Sequence, residues 1–160
     1  MVKLNKYHIF VALTCAYAVF LFFLSSVSSL PGPSEFGFLV GLMHFFEDSG
    51  LKILAYPFYL TYLYPDKFAH MILYMGFGLL LNWTLSNSKN GVLSKYSVPF
   101  AISIGTLYAV TDEFHQAFVP YRTASSMDLV ADFAGVLAAQ LLILMYFGIK
   151  RLLSEGRGKY

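Results

Sequence analysis

Three short stretches hold most of the side chains able to do chemistry. The first is Asp66-Lys67-Phe68-Ala69-His70-Met71-Ile72-Leu73-Tyr74. Asp66, His70 and Tyr74 are spaced four apart, so a helix stacks them on one face. The second is Thr111-Asp112-Glu113-Phe114-His115-Gln116. Asp112 and Gln116 share a helical face there, and Glu113 points elsewhere. The third runs from Arg122 to Asp128 and on to Asp132 and Gly135. Asp128, Asp132 and Gly135 lie along one face.

Carboxylates beside an imidazole suit proton transfer, and a guanidinium suits two-point recognition of phosphate or carboxylate. The pattern predicts Glu113 as general acid or base and His70, oriented by Asp66, as the second proton-transfer group. Arg122 is the expected anion clamp, with Lys67 adding point charge. Gln116, Asp112, His115, Asp128, Asp132 and Tyr74 complete the expected substrate-binding set. No covalent nucleophile stands out, because Ser125 and Ser126 lack an adjacent base and Cys15 lies in an apolar run. No cofactor is expected, since neither H-E-x-x-H nor paired-Cys spacing is present. A mixed metal site of Asp66, His70, Glu113, His115 and Asp128 is the alternative.

Plainer roles compete with these. Ser125-x-x-Asp128 before an apolar run is a capping box. Asp66 can cap a helix while Lys67 snorkels, and Arg122 can simply balance nearby carboxylates.

The elements that must position these groups are membrane helices. Of 160 residues, 58% are hydrophobic and only 12% charged. Soluble domains carry about 25% charged residues, so a soluble monomer is excluded. With 16 Phe and 12 Tyr, disorder is excluded too. One cysteine rules out a disulfide scaffold, and no basic stripe suggests a nucleic-acid partner. A span needs about 20 apolar residues. The predicted fold is an all-α membrane bundle, one domain over 1–160, with four spans near 8–28, 68–86, 96–116 and 128–149. The third must borrow residues beyond Val110, which draws Asp112 and Glu113 toward the membrane boundary.

In that arrangement Lys3, Lys6, Lys89, Lys95, Lys150, Arg151, Arg157 and Lys159 fall on one side, which the positive-inside rule makes cytoplasmic. Both termini are then cytoplasmic. Eight of the nine acids, all but Glu155, lie in the outer half. A cleaved signal peptide is the alternative for the first run. That run, however, is bulky up to Leu24 and no A-x-A site follows it. The segment 31–65 is too polar for a clean span and too aromatic for a plain loop. Pro31, Gly32 and Pro33 break the chain, Ser34 can cap a helix, and Gly50 divides the segment. Two short interfacial or re-entrant helices are expected there.

An acid at a helix centre in a membrane costs about 3 kcal/mol. Such groups therefore face the bundle interior. All three clusters emerge at the same end and can converge. Gly76 and Gly78, with the stripe Ala131, Gly135, Ala139, allow close helix approach. The result is a polar pocket facing the outer leaflet.

The joined motifs resemble the VanZ-like family of small bacterial membrane proteins. They are Asp66-Lys67-x-x-His70-x-x-x-Tyr74, then Asp112-Glu113-x-His115-Gln116-x-x-Val119-Pro120-x-Arg122, then Ser125/Ser126-x-Asp128 with Asp132 and Gly135. The Ser25-Ser26 pair also fits. The resemblance spans roughly residues 20 to 147. Two positions depart from it: the family often has Gly where Tyr121 sits and Asn where Asp132 sits. The resemblance implies a polytopic protein of the bacterial cytoplasmic membrane, in a family whose founding member is linked to resistance against the lipoglycopeptide teicoplanin. It fixes no reaction.

Three functions fit the residues. One is an enzyme performing acid–base hydrolysis or transfer on a lipid headgroup or lipid-linked envelope precursor. The second is a non-catalytic binder of an anionic lipid or glycolipid that alters antibiotic access or envelope assembly. The third, a proton-coupled transporter using Asp132 and His70, is disfavoured by four short spans without paired broken helices.

Overall fold

The computed structural model describes residues 6–27, 37–52 and 63–157. Among them every regular element is helical: α1 (Lys6–Ser25), α2 (Gly37–Asp48), α3 (Pro65–Ser86), α4 (Gly91–Lys95), α5 (Ser97–Gln116) and α6 (Ser126–Arg157). Three of these, α1, α3 and α6, are long and apolar enough to cross a membrane. At 20 residues α5 has the length, but its C-terminal end carries Thr111, Asp112, Glu113, His115 and Gln116, which lower its apolarity. Their exposed faces are apolar: Phe20, Phe22 and Phe23 on α1, and Leu141, Leu142, Leu144 and Met145 on α6. In water that surface would drive aggregation; in lipid it costs nothing.

The centre of the bundle is α3, which packs on α6, α5 and α1. It starts well for a helix, with Pro65 pre-set for the first turn and Asp66 on the favourable side of the helix dipole. Its buried stripe, His70, Tyr74, Phe77, Gly78, Leu81, Asn82 and Leu85, follows the three-and-four spacing of one helical face.

Small residues set the closeness of the packing. A side chain at Gly78 would meet Ala139 and Val136 of α6 at 3.0 and 3.1 Å. One at Gly135 would collide with the Met71 carbonyl and come within 2.9 Å of the Met75 amide. Gly105 faces Val136 in the same way, at 2.8 Å. It belongs to a stripe, Ala101, Gly105 and Ala109, buried on α5. Gly76 faces Tyr17 of α1 instead, at 2.6 Å from its hydroxyl oxygen.

Hydrogen bonds then fix the helices in register. Thr14 Oγ1 lies 2.8 Å from Thr84 Oγ1, and the Tyr17 hydroxyl donates to Leu73 O at 3.0 Å. The Tyr108 hydroxyl of α5 donates to Ala18 O of α1 at 2.6 Å. Asn82 Nδ2 donates to Gln140 Oε1 at 2.8 Å, and Gln140 Nε2 donates to Gly78 O at 3.0 Å. This buried amide pair sits about 18 Å along α3 from His70. It locks α3 to α6 at the end opposite the acids.

The first span ends at Ser25, three residues short of the expected limit. The last helix runs on to Arg157, past the expected end at 149. At 32 residues it is about 48 Å long, more than a 30 Å hydrocarbon layer needs. Between 31 and 65, one short helix of 12 residues is described, α2, and it is too short to cross. Gly50 closes the turn after it with φ of 74°, the left-handed conformation that glycine adopts freely. The expected break at Pro31–Pro33, the Ser34 cap and the second helix lie largely outside the described residues.

Gly135→Ala forces a methyl group onto the α3 backbone and should cost about 2 kcal/mol or more. Gly148→Ala, which meets nothing within 4 Å, should be neutral or stabilise by about 0.5–1 kcal/mol. Thermal unfolding of the two detergent-solubilised variants measures the contrast.

Candidate functional site

The polar ends of α3, α5 and α6 bring five carboxyl side chains, Asp66, Asp112, Glu113, Asp128 and Asp132, around Lys67, His70 and Arg122. They form two layers. In the upper one, Lys67 Nζ donates to Asp66 Oδ2 at 2.8 Å and also to Asp128 Oδ1. Asp128 is buried and Asp66 partly exposed, so the ammonium sits between an inner and an outer carboxylate.

One turn deeper, His70 Nδ1 lies 2.9 Å from Asp132 Oδ1. Asp132 is completely buried. The four-residue spacing of Asp66 and His70 predicts Asp66 as the orienting carboxylate. Asp66 Oδ1 is 3.9 Å from His70 Nε2, with its other oxygen held by Lys67. Asp132, on another helix, is the closer partner.

Glu113 enters from α5. Its Oε2 accepts the Ser125 backbone N–H at 2.7 Å. That N–H is the one a capping-box Asp128 would take. Asp128 turns to Lys67, the Ser125 hydroxyl accepts from the Met127 N–H at 3.3 Å, and Glu113 closes the cap from a neighbouring helix. The other Glu113 oxygen, Oε1, is buried with no hydrogen-bond partner among the described residues. The same holds for Asp132 Oδ2.

On the side facing α1, a cavity of about 20 Å³ has room for one water. His70, Tyr74, Asp112, Gln116, Ser25 and Arg122 line it. Gln116 Nε2 donates to Asp112 Oδ2 at 3.4 Å. The Ser25 hydroxyl, the Tyr74 hydroxyl and Arg122 Nε are buried there without partners among the described residues. Ser25 was not among the expected site residues; its only sequence signal was the Ser25-Ser26 pair closing the first span. On the opposite side, Tyr64, Phe68, Met71, Met127 and Ala131 line an open apolar groove of about 430 Å³. Lys67 forms its polar edge.

The structure brings together Asp66, Lys67, His70, Glu113, Asp128 and Asp132, with Tyr74, Asp112, Gln116 and Arg122 around the small cavity. It does not bring in His115. That ring stacks on Phe22 at 4.4 Å, and its Nε2 lies 3.0 Å from Ser26 Oγ. His115 therefore ties α5 to the end of α1.

Tyr121 immediately precedes Arg122. It is 96% exposed and has φ of 64°, in the left-handed region that costs a non-glycine residue about 1–2 kcal/mol. The turn closes with the Arg122 N–H donating to Val119 O at 3.2 Å. This is the position at which the family resemblance often has glycine. Tyr121→Gly should raise stability by about 0.5 kcal/mol, the strain relieved exceeding glycine's entropy cost. A rise in melting temperature checks this, and a fall contradicts it.

No curated protein and no solved structure matches the chain. The VanZ/LLP1 family model matches residues 9–148, a stretch that takes in all three polar clusters and most of α1 and α6. The chain is a member of the VanZ/LLP1 family.

Proposed function

We propose that this chain is a four-span membrane enzyme that performs acid–base hydrolysis or transfer on a lipid headgroup or lipid-linked envelope precursor. In this reading α5 is the fourth span, both termini are cytoplasmic and the polar cluster faces the outer leaflet of the bacterial cytoplasmic membrane. The basic residues after α3 and in the last turns of α6 support that orientation.

The observation that carries the reading is the buried acid–base pair. Glu113 keeps one oxygen uncommitted beside an imidazole that Asp132 holds at 2.9 Å. Glu113 takes the proton from an attacking water or alcohol, and His70 gives one to the leaving oxygen. Asp132 fixes the imidazole, as a buried carboxylate does for a catalytic histidine elsewhere. The apolar groove beside Lys67 suits a lipid chain, with the headgroup reaching the cluster over Lys67. Arg122, with a buried donor to spare, is the clamp for a phosphate or carboxylate.

A second reading draws on the three unpartnered polar groups of the small cavity, Ser25, Tyr74 and Arg122. They favour a binder of an anionic lipid or glycolipid that changes antibiotic access, in keeping with the family's link to glycopeptide resistance.

Incubating purified protein with an envelope-lipid extract and following the lipids by mass spectrometry separates the two. An enzyme yields a new species whose rate falls about 100-fold or more in Glu113→Gln. Full turnover in Glu113→Gln removes the assignment. A lipid retained by wild type and lost in Arg122→Ala, with no product, supports the binder.

A further inference from the structure

The cluster holds two groups of three side chains whose ligand atoms lie within 4.8 Å of one another: Asp66, His70 and Asp128, and His70, Glu113 and Asp132. They differ in one respect. The first already has a cation, because Lys67 donates to both of its carboxylates. The second has no lysine or arginine in contact among the described residues, and only the His70 ring, when protonated, can offset its two carboxyl groups. Asp132 is 0% and Glu113 8% exposed, and each keeps one oxygen buried without a partner. Two buried carboxyl groups that share one imidazole leave at least one without a counter-charge when both are ionised, which is costly. Each unmet oxygen adds the cost of an unsatisfied acceptor, about 1–3 kcal/mol.

We infer that His70, Glu113 and Asp132 form a binding site for one divalent transition-metal cation. Each ligand comes from a different helix, α3, α5 and α6. One imidazole nitrogen with two carboxylate oxygens is the mixed donor set that Zn²⁺ and Mn²⁺ accept. The 2.9 Å between His70 Nδ1 and Asp132 Oδ1 is close to the spacing of two adjacent ligands about 2.1 Å from an octahedral ion such as Mn²⁺, and a tetrahedral Zn²⁺ would need the two to part by about 0.5 Å. Three protein ligands leave further positions open for water or substrate. Lys67, by filling the other triad, restricts the ion to the inner one.

The site deepens the proposed acid–base reading and rests on it only for its use in turnover. An ion there would take His70 and Glu113 as ligands in place of their proton-carrying roles, and would itself supply the activation of water. Binding itself is independent of any reaction.

The test uses chelator-stripped, detergent-purified full chain. Mn²⁺ is titrated by electron paramagnetic resonance of the free ion, and Zn²⁺ by competition with a chromophoric chelator. One ion should bind per chain. Affinity should fall by about tenfold or more in Glu113→Gln and Asp132→Asn, and stay at the wild-type value in Asp66→Asn. Glu113→Gln keeps the test valid if Asp132→Asn fails to fold, because Glu113 Oε1 has no hydrogen bond to lose. Absence of stoichiometric binding of either ion to wild type overturns the site. So does binding that survives Glu113→Gln but is lost in Asp66→Asn, which places the ion on the outer triad. Lipid turnover that proceeds fully in chelator sets aside the ion's part in catalysis. Ion binding without turnover sets aside the lipid reaction and leaves the site standing.

Discussion

Asp132 is wholly buried in a bundle that faces lipid, and its nearest polar contact is the ring of His70, 2.9 Å away on another helix. A carboxyl group in that position is tolerable only if α3 and α6 meet there without water between them. The packing beneath it meets that demand. Gly135 and Gly78 leave no room for a side chain between the two helices, and Asn82 with Gln140 locks their far ends. If the helices were an ångström further apart, the imidazole and the carboxylate would lose each other. Both would then be stranded in a medium that offers no substitute.

From that pair the polar end is built outward. Lys67 bridges the layer above by sitting between Asp66 and Asp128. Glu113 spends one oxygen on the Ser125 N–H, which anchors α5 to the start of α6. The left-handed turn at Tyr121 sits immediately before Arg122, which lines the small cavity. The outer acids are therefore satisfied, and the inner ones, Glu113 and Asp132, each keep an unused oxygen. Structural ion pairs satisfy their atoms. Buried atoms left unsatisfied beside one another are what the proposed site rests on, since a proton, substrate or cation would satisfy them.

The spans were legible in the sequence because a long apolar run is a strong signal that does not depend on tertiary contacts. The runs at 8–28, 68–86 and 128–149 reappear as α1, α3 and α6 to within a few residues, apart from the longer end of α6. The shared face of Asp66, His70 and Tyr74, and the gathering of polar groups at one end, followed from helical spacing and charge placement. Partner choice across helices did not. His70 lies one turn from Asp66 in sequence, yet Asp132 holds it. His115 sits within the motif of Glu113, yet it faces α1. Such pairings depend on how each helix is rotated, which small residues far from the motif decide. Of these, Gly78 and Gly135 were visible as candidates, whereas the Ala101, Gly105, Ala109 stripe of α5 was not singled out. Ser25 was hidden for a related reason: a serine at the end of a span is ordinary until the helix beside it turns a cavity toward it.

The most direct test of this convergence is a pair of double-mutant cycles on thermal stability in detergent, one coupling His70 with Asp132 and the other His70 with Asp66. The structure predicts a coupling of about 1 kcal/mol or more for the first pair, the scale of a direct contact. For the second it predicts about 0.3 kcal/mol or less, since Asp66 is partly exposed and already held by Lys67. Equal couplings, or a larger one for Asp66, would contradict the placement of His70 against α6 on which the rest of the site depends.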